Sequence, residues 1–442
     1  MRRPLLAQAG TQRKGGQVRL QDRGVPRTLA EEVGVNRGFL NGWMATAVAL
    51  AAGCGVDPPD LPAAAADAPA GDASAGVDAP GPVDVPAAID GHHLRLSLGT
   101  LHTGSDGRSP PLPFDVPPQT TSLAITVRGP LHLRYTLASL HGPGGASVVP
   151  PNWLDAGAPW LCLQDCPNRV ASAPGAAAFL VPNTPLLTLK PGPHILQAYA
   201  FAADIAGKVS PAAAELTVHV DLVRRSLPAG PGRIDINLCL ANSYGYTAAI
   251  ALKHPRIVAA REEVAQALAQ AGLALGDVRA FDVPAPSFTI EHDGADDAET
   301  SELFASGAGL PMGINVFLID GIYRSEGPGS QVPLAGLSGG VPGPPLAVGG
   351  PRSGVALPLP LMGSQPDRLG RVMAHEICHF LGLFHTSEQP QAGESRIHDT
   401  LPDTGEDDAD NLMHWQPTTG AGKLTQQQRQ ILQASPWVVP QP

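Results

Sequence analysis

The 442-residue sequence predicts a multidomain protein in which an N-terminal antiparallel β-sandwich is followed by an α/β (α+β) domain. Three observations carry that expectation. Glycine and proline number 50 and 47 while aromatic residues make up only 5% of the chain, a composition that favours strands, turns and linkers over long helices. Short apolar runs alternate with period two through residues 91–226, as strands with one buried face do. From residue 229 the pattern changes to strand, helix, strand. The formal net charge is −11, although residues 1–40 carry eight basic and three acidic side chains. That balance excludes a nucleic-acid partner engaged through a basic face.

Residues 1–54 read as a signal region. Arg37 precedes the apolar run FLNGWMATAVALAA, and Gly53-Cys54 follows it, the order of charge, apolar core and small residues found in a secretory signal. The run is short for a membrane span and Asn41 interrupts it. Leu50-Ala51-Ala52-Gly53-Cys54 resembles a bacterial lipobox, which implies acylation of Cys54; Ala51 stands where that motif prefers leucine. The long polar stretch 1–34 suggests a mis-called start, with Val35 as an alternative. An ordinary signal peptide or an uncleaved anchor are the other readings. All of them place the chain outside the cytoplasm, as an outer-membrane lipoprotein or a secreted protein that meets a membrane through a lipid anchor only.

Residues 55–90 hold seven Asp, no Lys or Arg and no aromatic residue. Such a segment cannot bury enough apolar surface to offset the entropy of ordering and is expected to be a disordered linker. Next, the sandwich at 91–226 is expected from Leu94, Leu96, Leu98; Leu123, Ile125, Val127; Leu131, Leu133, Tyr135, Leu137; and Leu216, Val218, Val220, with a further strand in 190–201. Its scattered histidines, His92 and His93 included, form no catalytic pattern. Without Cys54, four cysteines remain, an even number suited to an oxidising compartment. Cys162 and Cys166 are close enough for a local disulfide, the alternative being a thiolate that covers a metal. Cys239 and Cys378 either pair or stay as buried thiols.

The domain at 229–442 opens with the alternating strand RIDINLCL. A helix over 255–271 follows, begun by Pro255, with Ile257, Val264, Leu268 and Ala271 on one stripe. Strands are expected at Val278–Val283 and Ile314–Ile319, and the prolines of SGVALPLP, residues 353–360, point to an edge strand.

Residues 367–385, DRLGRVMAHEICHFLGLFH, contain His375, Glu376, His379, Gly382 and His385 in the pattern HExxHxxGxxH. On a helix, positions i and i+4 share a face, so His375 and His379 can offer two imidazole nitrogens to one metal. Gly382 lets the chain turn so that His385 arrives as third ligand. Three neutral imidazoles with one open position suit catalytic zinc, and Glu376 lies where its carboxylate can take a proton from water. Cys378 points about 100 degrees away from His379 around the helix and is not a ligand.

This pattern resembles the metzincin zinc endopeptidases, and Asn411-Leu412-Met413-His414-Trp415 resembles their Met-turn, with Met413 lying 28 residues beyond His385. HEICHFLGLFH followed by DTLPDT and NLM is most similar to the pappalysin-like group. The resemblance covers about residues 230–442. It implies a metzincin-like zinc peptidase domain, Zn²⁺ on the three histidines, Glu376 as general base, Met413 as an apolar floor and a protein or peptide substrate. Between His385 and Met413, the residues Glu394, Asp399, Asp403, Glu406, Asp407, Asp408 and Asp410 face only one cation, Arg396. Clustered carboxylates suit Ca²⁺, and the resemblance favours Asp399 and Asp403; a plain solvated loop is the alternative. Thr425 and Gln428 have capping-box spacing for a short last helix, while His398 and His414 are either cleft or packing residues. The function expected is zinc-dependent peptide hydrolysis with substrate along 353–360. The rival is an envelope-attached binding protein on a catalytically idle zinc-peptidase fold.

Overall fold

Alternating apolar side chains between residues 93 and 224 build two antiparallel sheets. The computed structural model describes residues 93–440 apart from 157–158, 164–165, 205–207, 225–231, 242, 285–288, 293–297, 326–330, 362–367, 389–395, 407 and 417–421. The signal region with Cys54, the linker and Glu394 lie outside the described residues. One sheet runs in the order His93–His102, Glu215–Arg224, Thr120–Arg128, Ala176–Val181. The other centres on Gly192–Ala203, paired with Leu112–Val116 and Arg134–His141. Leu123, Ile125 and Val127 of the first sheet meet Tyr135, Leu137 and Leu196 of the second in one buried cluster, as residues two apart on facing strands must.

The strand Thr120–Arg128 departs from simple alternation, because Ser122, Ala124 and Thr126 are buried too. Their face of the sheet is covered by the second half of the chain. Ser122 Oγ donates to the Ala434 carbonyl at 2.6 Å, and Leu180 of the neighbouring strand belongs to the second half's main core. All described residues fall within one compact unit.

The second half is built on a five-strand path in the order Leu273–Asp282, Gly232–Leu240, Ile314–Ile319, Val355–Pro358, Leu337–Ser338, with only the last strand antiparallel. All six side chains of Ile314–Ile319 are buried, consistent with covered faces on a central parallel strand. The expected edge strand therefore requires correction. Val355–Pro358 pairs with Ile314–Ile319 on one side and with Leu337–Ser338 on the other, so the edge belongs to Leu337–Ser338. Pro358 is tolerated because the next residue, Leu359, donates to Ile319 O at 2.7 Å, which leaves proline's missing donor on the side where Leu337–Ser338 no longer runs alongside.

The helix Pro255–Gln270 starts at proline after an extended His254 and buries Ile257, Ala260, Val264, Ala267 and Leu268. It packs against the helix Arg368–Leu381, which carries the histidine motif. Gly370 permits that closeness, since a Cβ there would sit 2.8 Å from Ala260 Cα. Among the described residues, no helix is long and apolar enough to cross a membrane.

Candidate metal centre

The motif helix is buried from Leu369 to Leu381, polar residues included. Burial of three histidines and a carboxylate in such a setting is costly unless each polar atom finds a partner. The helix ends in a Schellman turn, in which Gly382 N–H donates to His379 O at 2.9 Å and Leu383 N–H to Cys378 O at 3.0 Å. Gly382 has φ 120°, in the region that favours glycine, and a Cβ there would meet Leu180 Cδ2 at 2.8 Å. The turn sends the chain back past its own helix and delivers His385.

Each imidazole is fixed through Nδ1. His375 donates to Leu412 O at 2.7 Å, His379 to Leu383 O at 2.6 Å and His385 to Glu388 Oε2 at 3.0 Å. All three partners are acceptors, so the proton sits on Nδ1 and the lone pair on Nε2. Those lone pairs converge: His379 Nε2 lies 3.0 Å from His375 Nε2 and 3.1 Å from His385 Nε2. Three lone pairs at such distances repel unless a cation lies among them. A tetrahedral ion about 2.0–2.1 Å from each nitrogen would set them roughly 3.3 Å apart, so the donor set fits a metal. Burial, joined by the neighbouring His385, holds His375 down to about 3 and His379 well below the ordinary histidine value, keeping both rings neutral. The three residues can hold a metal ion.

Glu376 is 2% exposed, and burial pushes its carboxyl up to about 8, opposed by a hydrogen bond from Ser338 N–H. Gly336 leaves it room, because a Cβ there would lie 2.7 Å from Glu376 Cγ. Met413 is fully buried, and the turn carrying it does two jobs. Its Leu412 carbonyl aims His375, and its Met413 carbonyl accepts from Thr386 N–H at 3.0 Å, next to the third histidine.

The last helix, Gln426–Ala434, has the expected capping box between Thr425 and Gln428. Gln428 also exchanges two side-chain hydrogen bonds with Asn411, at 3.1 and 3.2 Å, and so ties that helix to the methionine turn. This link was not evident in the sequence, which shows only the capping-box spacing.

Among the described residues, neither Asp399 nor Asp403 belongs to a group of three metal-capable side chains. Asp399 accepts from Leu401 N–H at 3.0 Å and from Thr404 Oγ1, while Asp403 accepts from Gln427 N–H at 2.9 Å. Cys162 and Cys166 form a disulfide, so neither supplies a thiolate to a metal. Cys239 and Cys378 are separate buried thiols in different clusters. His398 has both ring nitrogens engaged within its loop, by Ser387 Oγ and Thr404 O. His414 is buried with Nδ1 2.9 Å from Gln416 O. Glu388, which holds the His385 ring, was not singled out in the sequence, where its one signal is an acidic residue three positions beyond the last histidine of the motif.

The sequence matches no protein-family model and no curated protein. Among solved structures, the chain is similar to an archaemetzincin from Methanopyrus kandleri, with a TM-score of 0.24 and 12% identity over 46% of this chain and 88% of that one. It is also similar to a family two carbohydrate esterase from Clostridium thermocellum, with a TM-score of 0.14 and 10% identity over 52% of this chain and 62% of that one. A family two carbohydrate esterase from Cellvibrio japonicus gives a TM-score of 0.10 and 12% identity over 52% of this chain and 67% of that one. Likenesses this slight assign neither a fold nor an activity to the chain.

Proposed function

We propose that the chain is a zinc-dependent endopeptidase of the metzincin type, most like the pappalysin-like group. The observation that carries this reading is the convergence of three Nε2 atoms, His379 Nε2 lying 3.0 and 3.1 Å from those of His375 and His385, with a buried carboxylate, Glu376, next in sequence to His375. When bound to His375, His379 and His385, zinc supplies Lewis acidity to water and to the scissile carbonyl. Glu376 accepts the proton of the attacking water and passes it to the leaving amine, a role open to its ionised carboxylate. Leu337–Ser338 ends the sheet, and Ser338 N–H reaches Glu376, so an extended peptide laid on this edge brings its backbone to the carboxylate.

The decisive experiment pairs zinc quantification with peptide-library digestion. Glu376→Ala should retain zinc and lose hydrolysis, and substantial residual cleavage would overturn the role of Glu376. Export, with acylation of Cys54, forms part of the proposal and has the Cys162–Cys166 disulfide in its favour. Intact-mass measurement tests it, since an unmodified Cys54 with residues 1–53 attached contradicts it. Calcium at Asp399 and Asp403 rests on loop charge, and proteolysis of the loop that is indifferent to calcium contradicts it.

A further inference from the structure

Arg169 lies in the N-terminal half, just before the short strand Val170–Ala171, yet reaches the metal centre. It is 1% exposed, and its guanidinium stacks on the ring of Phe384, 4.9 Å from the centroid, next in sequence to His385. A built framework holds it there. Arg169 N–H donates to Asn183 Oδ1 at 2.9 Å, Arg169 Nη2 to Asn183 O at 3.2 Å, and Asn183 Nδ2 returns a bond to Arg169 O at 2.6 Å. Asn168 adds bonds to Asn183 N and Leu180 O. Around it, Leu163 packs with Val341 and Phe384, and Leu161 and Ala171 flank the same cluster.

A fully buried guanidinium is tolerated only where opposite charge compensates it. Among the described residues, Nε and Nη1 of Arg169 have no hydrogen-bond partner, nor has Oδ2 of Asp399. The carboxylates whose charge acts on Arg169 are Asp399 and Glu388. Glu388 in turn grips His385 through both oxygens, at 3.0 Å to Nδ1 and 3.1 Å to the backbone N–H. Asp399 N–H donates to Thr386 O at 2.7 Å, one residue beyond that histidine.

We propose that Arg169 is a positioning residue of the metal centre: its buried charge compensates Glu388 and Asp399 and so keeps His385 in ligand geometry. The N-terminal half is then a lasting component of the site, not a segment shed to expose it. The inference rests on the reading of His375, His379 and His385 as a zinc centre, and its test separates the two.

The test is zinc affinity of the full chain, stripped of metal and titrated against a competing chelator, with the visible spectrum of the cobalt-substituted form as second readout. Arg169→Met should weaken zinc binding about 10- to 100-fold, the usual range for loss of support behind a ligand, and alter the cobalt spectrum. Arg169→Lys, which keeps the charge but not the planar stack, should fall in between. Glu388→Gln keeps an acceptor for His385 and removes the charge, so the effect of Arg169→Met should shrink to within about threefold in the double variant. Wild-type affinity and spectrum in Arg169→Met, or losses that simply multiply in the double variant, overturn the proposal. If Arg169→Met fails to fold, a folded, zinc-binding double variant supports it and continued failure overturns it. A wild type that never takes up zinc removes the metal reading itself, and this inference with it.

Discussion

Glu388 holds His385 at two points, one oxygen on the ring Nδ1 at 3.0 Å and the other on the backbone N–H at 3.1 Å. The other two rings of the triad rest on backbone carbonyls, those of Leu412 and Leu383. A carboxylate behind an imidazole orients it and raises its basicity more than a neutral carbonyl does. His385 also sits beyond the helix, where no helical backbone fixes it. The third histidine therefore depends on one side chain in a way the first two do not.

Glu388→Ala should lower zinc affinity by about 10- to 100-fold. Chelator competition measures it. An unchanged affinity would show that the Gly382 turn alone is enough to place His385.

Gly336 is the room in which the Glu376 carboxylate lies, and an alanine Cβ would approach Glu376 Oε1 to 2.8 Å. Gly336→Ala should reduce kcat at least tenfold while zinc content stays at one per chain, because a general base displaced by about 1 Å loses its alignment. Steady-state kinetics alongside metal analysis decides it; equal kcat in the two proteins contradicts the assignment.

Gln428 and Asn411 satisfy each other in a buried position. Gln428→Ala strands the Asn411 amide and should cost about 1–3 kcal/mol. Since the same turn aims His375, zinc affinity should fall with stability. Denaturant unfolding with and without zinc tests this, and a variant that loses stability but no affinity would separate the last helix from the site.

The pH dependence of the chelator-treated protein has a sign at each group. Burial holds His375 at about 3 and His379 well below 6.5, so the unfolded chain binds their protons first and stability falls as pH drops below about 6.5. Glu376 works the other way. Its carboxyl is pushed up to about 8, so the folded state keeps a proton the unfolded state has lost, and stability falls as pH rises from 4.5 toward 8. Each group changes stability by about 1.4 kcal/mol per pH unit in its window. Among these three groups the two histidines outweigh the carboxyl below 6.5 and the carboxyl acts alone above it, so their joint contribution peaks near pH 6.5. Denaturant titrations between pH 5 and 8.5 check this, and stability that climbs steadily through that range contradicts it.

The three histidines and Glu376 were legible because their arrangement is local. His375, Glu376, His379, Gly382 and His385 all lie on one helix and its exit turn, where spacing alone carries geometry. Met413 was legible only beside that motif. What supports the ligands was not, because Leu412 O, Gln428 and Arg169 are joined to the histidines by tertiary folding and leave no periodic trace. The strand Val355–Pro358 departs from its expected edge position for a related reason. Its prolines look like edge markers, and only the register with Ile314–Ile319 and Leu337–Ser338 shows that Pro358 falls past the last paired residue of the outer strand. Ala124 and Thr126 look solvent-facing until the second half of the chain covers them.

The two lone cysteines of the second half lie in different apolar clusters, Cys239 in that of Phe304 and Phe317, Cys378 in that of Ile377 and Phe380. Burial drives the Cys378 thiol up to about 12 and raises that of Cys239 as well. A folded molecule should therefore be silent toward maleimide at neutral pH once Cys54 is replaced by serine. Any labelling then clocks transient opening, and mass mapping of Cys239 against Cys378 tells which of the two layers breathes first.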